Sequence, residues 1–102
     1  MPQFHVYRNP RASARHAPYL LDVQSDLIVS HVRVVVPLVT HQYFGPAART
    51  LNPVLVVQDK DYVLSPAEIG SLPIKQLGAP VADLGASRYD IIAALDFLFC
   101  GI

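Results

Sequence analysis

The chain has 102 residues, with eight Lys and Arg balancing eight Asp and Glu, four His, and an apolar fraction of 52%. That length holds one domain with one modest core, so a mean hydropathy of +0.33 leaves apolar surface for a second subunit or another partner to cover. Balanced charge with no block of one sign leaves nothing to track a phosphate backbone, and direct nucleic-acid binding is disfavoured.

Gln3 to Tyr7 alternates, Phe4 and Val6 facing one way and Gln3, His5 and Tyr7 the other, which predicts a half-buried strand. Arg8 to Pro18 carries Arg8, Arg11, Arg15 and two prolines and reads as a loop. Strand character resumes over Tyr19 to Val23, and Asp22 to Asp26 then leads into the short apolar run Leu27, Ile28 and Val29. Val32 to Leu38 is the strongest strand in the chain, with Val32, Val34 and Val36 on one face and Arg33 and Val35 on the other. Pro37 lacks the donor that a central ladder needs, so a bulge or an edge position is expected for it.

His41 to Asn52 reads as a long, partly ordered connection whose rings, Tyr43 and Phe44, need cover. Val54 to Val57 and Tyr62 to Leu64 flank a polar four-residue turn, Gln58 to Asp61, and predict a hairpin. Ser65 to Ser71 fits one helical turn capped by Ser65, with Pro66 first and Glu68 third. A last short strand is expected over Leu72 to Leu77, and Gly78 to Ala86 then descends to a helix.

That helix spans Ser87 to Ile102, with Ser87 as N-cap and Asp90 in its first turn. Ile91, Leu95, Leu98 and Ile102 form a stripe, widened by Ile92 and Phe99, that must dock on something. Its end is unusually apolar for a terminus: Phe97 to Ile102 reads FLFCGI. Gly101 suits a left-handed stop, and the same grouping suits a surface that meets another protein. Several short strands and one amphipathic helix make the fold mainly β, a small antiparallel sheet or barrel with a terminal helix, in a single domain over 1–102.

Chemistry is hard to place on this chain. One cysteine excludes an internal disulfide, and with four scattered histidines it offers no zinc spacing, so neither a metal site nor a cofactor is expected. Cys100 sits at the negative end of a helix dipole, a poor place for a nucleophilic thiolate. The acidic pairs Asp22 with Asp26, Asp59 with Asp61, and Asp90 with Asp96 form no acid/base couple, and the five glycines are too dispersed to cradle a phosphate. With neither a secretory leader nor a run of roughly eighteen apolar residues, a cytoplasmic protein without membrane contact is expected. An interaction protein is favoured over an enzyme.

The chain resembles the CcdB family of toxin–antitoxin modules in the opening QFHVY, in DVQSD followed by Leu27 and Ile28, and in VVPL at 35–38. Asn52-Pro53-Val54, SLP at 71–73, VADL at 81–84 and the ending FLFCGI continue the likeness over nearly the whole length. The resemblance implies a small SH3-like antiparallel barrel with a C-terminal helix, paired helix to helix as a two-fold homodimer. It implies binding to the DNA gyrase A subunit, trapping of the gyrase–DNA cleavage complex without catalysis, and neutralisation by a cognate CcdA-like antitoxin that orders on binding.

Carried over onto this sequence, the gyrase-facing residues are Phe99, Cys100, Gly101 and Ile102, with Leu27, Ile28 and Asp96. Arg8, Arg11 and Arg15 are the expected antitoxin contacts, against the plainer role of a solvated loop. At position 100 the well-known gyrase poisons of the family carry tryptophan, which stacks on an arginine of their target. Cysteine supplies no such face. Two other readings stand beside this one: an endoribonuclease on the same barrel, for which Arg8, Arg15, His16 and Asp22 are the available side chains, and a non-toxic paralogue that only binds antitoxin.

Overall fold

β-branched and aromatic runs become strands: β1 (His5–Arg8), β2 (Tyr19–Asp22), β3 (Val32–Thr40), β4 (Val54–Val57), β5 (Lys60–Leu64), β6 (Gly70–Pro73) and β7 (Ala82–Asp83). The computed structural model describes residues 2–101. Every pairing is antiparallel, in the order β4-β5-β3-β2-β1-β7, with β6 beside β3. The result is a nearly closed SH3-like barrel followed by a C-terminal helix, as the sequence led one to expect.

β3 runs straight through Pro37 to Thr40, so the proline is neither at an edge nor a stop. On one flank β3 pairs with β2, Pro37 opposite Leu20. On the other it changes partner, from β6 over Val32–Val35 to β5 over Leu38–Thr40. The Pro37 carbonyl on this flank accepts from the Ser65 N–H at 3.0 Å, so the missing donor falls in the gap between two partner strands, where no ladder bond is lost.

The main core gathers Phe4, Val6, Leu21, Val36, Leu38, Leu55, Val57 and Leu64 with Ile91 and Ala94 from the helix. The other face is covered too, by Leu20, Val35 and Leu72 with Leu77 against them. Tyr7, expected to face outward, is therefore only 1% exposed, because its face of β1 lies opposite Leu20 inside this second layer. The Arg8–Pro18 loop is ordered by Asn9, whose Nδ2 donates to the Ala17 carbonyl at 2.8 Å and whose Oδ1 accepts from Arg11 N–H. A short 3-10 turn, Ala12–Arg15, forms within it.

α1 (His41–Phe44) is a single helical turn inside the long connection; Tyr43 stacks one ring face on His16, centroids 3.7 Å apart, but stays 61% exposed and so does not get the cover expected for it. The β4–β5 hairpin turns over two residues and not four. Gln58 and Asp59 both have positive φ, 50° and 68°, and Val57 pairs directly with Lys60, so Lys60 and Asp61 belong to β5. Such a turn matches the right-handed twist of the strands it joins. Ser65 bonds Glu68 side chain to side chain at 2.7 Å over a 3-10 turn, Pro66–Glu68, in place of the expected cap. β6 then begins at Gly70 and ends at Pro73, where a further 3-10 turn, Ile74–Gln76, replaces the strand expected to Leu77.

α2 (Arg88–Cys100) also starts differently. Ser87 makes no side-chain cap, because a 3-10 turn over Gly85–Ser87 runs directly into the helix. Asp83 anchors that turn instead, its Oδ1 accepting from Gly85 N–H at 2.8 Å. Arg88 lies 5.6 Å from the centre of the Phe4 ring and ties the helix start to the barrel. Ile91 and Ala94 are fully buried, with Ile92 and Leu95 packed beside them. Complete burial of Ile91 alone contributes about 1.5–3 kcal/mol. The expected stripe through Leu98 is only half-buried there, and Ile102 lies outside the described residues.

Candidate protein-binding surface

Past Leu95 the helix presents its side chains to water, Leu98 excepted, which is half-buried. Phe97 is 42% and Phe99 68% exposed, and Asp96, Cys100 and Gly101 are exposed as well. The end is fixed nonetheless: Gly101 adopts φ 75°, ψ 16°, and its N–H donates to the Phe97 carbonyl at 3.0 Å. Only glycine takes that left-handed position without strain, so it closes the helix while leaving the phenylalanines beside it outside the core. Phe97 and Phe99, two positions apart and so on opposite sides of the helix, each add exposed apolar area at its end, suited to a protein partner.

Leu27 and Ile28 are exposed too, in the turn between β2 and β3, and Val29 beside them is 96% exposed. A hollow of about 340 Å³ next to this turn is lined by Pro2, Asp26, Ile28, Val29, Ser30, Arg33 and Ile74, with no described residue of the helix among them.

Beneath the turn lies an ion pair that the strand pattern concealed. Arg33 was expected simply on the second face of β3; it is buried, and Nε donates to Asp22 Oδ2 at 2.7 Å while Nη2 donates to Asp22 Oδ1 at 3.0 Å. Burial pushes the nearby Tyr7 phenol above its ordinary value; the Asp22 charge adds to the rise and the Arg33 charge opposes it. A lone charge inside a run of valines was the available clue, since a buried arginine demands an anion and Asp22 closes the neighbouring strand. Gln24 and Val29 carried no such clue.

Arg8 and Arg15 are exposed, while Arg11 donates from Nη2 to the Ser71 carbonyl at 3.1 Å and so steadies the outer edge of β6. Of the four side chains weighed for an endoribonuclease site, Asp22 is sealed against Arg33 and one face of the His16 ring is covered by Tyr43, while Arg8 and Arg15 are exposed. Among the described residues no three His, Cys, Asp or Glu side chains gather as a metal site would require, and no helix is long and apolar enough to cross a membrane. Large exposed apolar side chains lie at the helix end and at the Leu27–Val29 turn, and also at Tyr43, Val54, Val56 and Tyr89. The model of one protein family, described as CcdB protein, matches residues 3–101.

Proposed function

This chain belongs to the CcdB family and is a CcdB-type toxin, and we propose that its target is the A subunit of DNA gyrase, with the helix end as the part that enters the enzyme. The observation that carries this reading is the 68% exposure of Phe99 beside a left-handed Gly101, an apolar tip held stiff and left uncovered. In this reading two chains pair helix to helix, bringing two tips side by side. They lodge between the A subunits while DNA is cleaved and hold the break open. No covalent chemistry is asked of the toxin.

Phe99, Cys100, Gly101 and Ile102 make the principal contact, Asp96 lies one turn back, and Leu27 and Ile28 add a second contact from the loop. The protein acts in the cytoplasm, where gyrase is found, and is silenced by a partly disordered antitoxin. Arg8 and Arg15 are the free cations for that partner, and Arg11 joins them only by releasing the Ser71 carbonyl.

The test is direct. Purified protein added to gyrase, supercoiled plasmid and ATP yields linear DNA once the enzyme is denatured. Plasmid that stays intact at high protein concentration overturns the reading. Expression without antitoxin separates a further case, since unimpaired growth identifies a chain that binds antitoxin and poisons nothing.

A further inference from the structure

The turn from Ser25 to Ser30 holds three consecutive apolar residues in water, Leu27 at 93%, Ile28 at 56% and Val29 at 96% exposure. It is not a slack loop. Ile28 N–H donates to the Ser25 carbonyl at 3.0 Å, Leu27 N–H donates to Ser25 Oγ at 3.2 Å, and Asp26 Oδ1 accepts from Gln3 N–H at 2.7 Å. Under it sits Gln24, 7% exposed, with every polar group in use. Its N–H donates to Asp22 Oδ1 at 3.0 Å and its carbonyl accepts from Arg33 Nη2 at 3.1 Å. Its side-chain Oε1 accepts from Val34 N–H at 3.0 Å, and its Nε2 donates to the Ile28 carbonyl at 3.2 Å.

Gln24 therefore joins three bodies: β3, the buried ion pair and the turn. With the Ile28 carbonyl held from below, Ile28 and Val29 line the hollow together with Pro2, Asp26, Ser30, Arg33 and Ile74. Leu27 and Val29, the latter on the hollow's rim, are left almost wholly exposed to water. Apolar side chains so fully hydrated, on a backbone so thoroughly bonded, are pre-organised for a partner, because little loop entropy remains to be lost on contact.

We infer that Gln24, standing on the Asp22–Arg33 pair, is a positioning residue that fixes the Ser25–Ser30 turn, and that Val29 joins Leu27 as a contact residue for the target. The identity of that target rests on the gyrase reading above; the brace rests on the geometry of the turn. Gln24 reaches the partner only through the loop.

Gln24→Glu is the informative variant, since it keeps the size and the acceptor for Val34 N–H but sets an oxygen against the Ile28 carbonyl. In the full-length protein it speeds amide exchange at Leu27 and Ile28 about tenfold while leaving Val36 unchanged. An equal rise at Val36, or none at Leu27 and Ile28, overturns the brace. Binding to purified gyrase A subunit, followed by calorimetry, weakens about tenfold for Gln24→Glu and about tenfold for Val29→Ala. In a Leu27→Ala, Val29→Ala background Gln24→Glu has no further effect on affinity. A full additive loss there overturns action through the loop, and unchanged affinity for Val29→Ala removes that residue from the contact. Wild-type protein that fails to bind the A subunit overturns the target and the contact roles with it, while amide exchange still decides the brace.

Discussion

Arg33 grips Asp22 through two parallel bonds, of 2.7 and 3.0 Å, with side chains only 5% and 0% exposed. Removing one partner strands the other's charge in the interior, at about 3–5 kcal/mol. Arg33→Met therefore lowers the urea midpoint sharply, whereas Asp22→Leu with Arg33→Met recovers most of the loss. Single variants within about 1 kcal/mol of wild type would show that water reaches the pair.

At the helix end, Gly101→Glu keeps the fold. A side chain there meets nothing within 4 Å, and the left-handed backbone costs a non-glycine residue about 1–2 kcal/mol. Thermal unfolding shifts by a few degrees while growth inhibition is lost. Deletion of Ile102 has the same pattern, and toxicity that survives both changes makes the tip a structural stop.

Cys100→Trp strengthens poisoning. The position is exposed, so an indole is accommodated without repacking, and a stacked cation on the partner contributes about 0.5–2 kcal/mol. Dose–response curves of gyrase-dependent DNA linearisation move to lower toxin concentration. An unmoved curve means that no cation of the target faces position 100.

Burial pushes the phenols of Tyr7 and Tyr62 up, with further increments from the Asp22 charge and from Tyr19 respectively. A folded-state value above the unfolded one means that the folded chain keeps a proton the unfolded chain loses. The associated stability is complete below the unfolded value of about 10 and disappears as pH rises through the folded values. Urea midpoints measured from pH 8 to 11 thus fall only at the alkaline end, and more gently for Tyr7→Phe. An identical slope in that variant removes Tyr7 as a cause.

Asp59 sits at φ 68° in a two-residue hairpin turn. Asp59→Gly relieves that conformation and raises stability by about 0.5–1 kcal/mol, read as a higher thermal midpoint. Gln58 is best left alone, because its Oε1 accepts from the Tyr19 hydroxyl at 3.3 Å. A lower midpoint for Asp59→Gly would mean that chain entropy outweighs the backbone strain.

Periodicity revealed the strands because it reports which face is apolar; β4 follows it closely, whereas β3 is buried on both faces from Val35 onward and does not. It failed at Tyr7, since alternation assumes one wet face and this sheet is covered on both. It failed at Pro37, because the gap that excuses a proline is made by β5 and β6, far along the chain. Ser87 looked like a cap, but Asp83 starts the helix approach five residues before the helix proper, a choice set by how β7 delivers the chain. The helix tip was legible because its grouping is local in sequence. The Gln24 brace was not, because it exists only once β2, β3 and the turn have met.

The glycine stop has a consequence for how such a protein can change over generations. Phe97, Phe99 and Cys100 lie beyond the residues that hold the barrel closed, so exchanging any of them leaves the interior untouched. On the reading proposed above, descendants are free to retune which victim they seize, residue by residue, without first having to become sturdier.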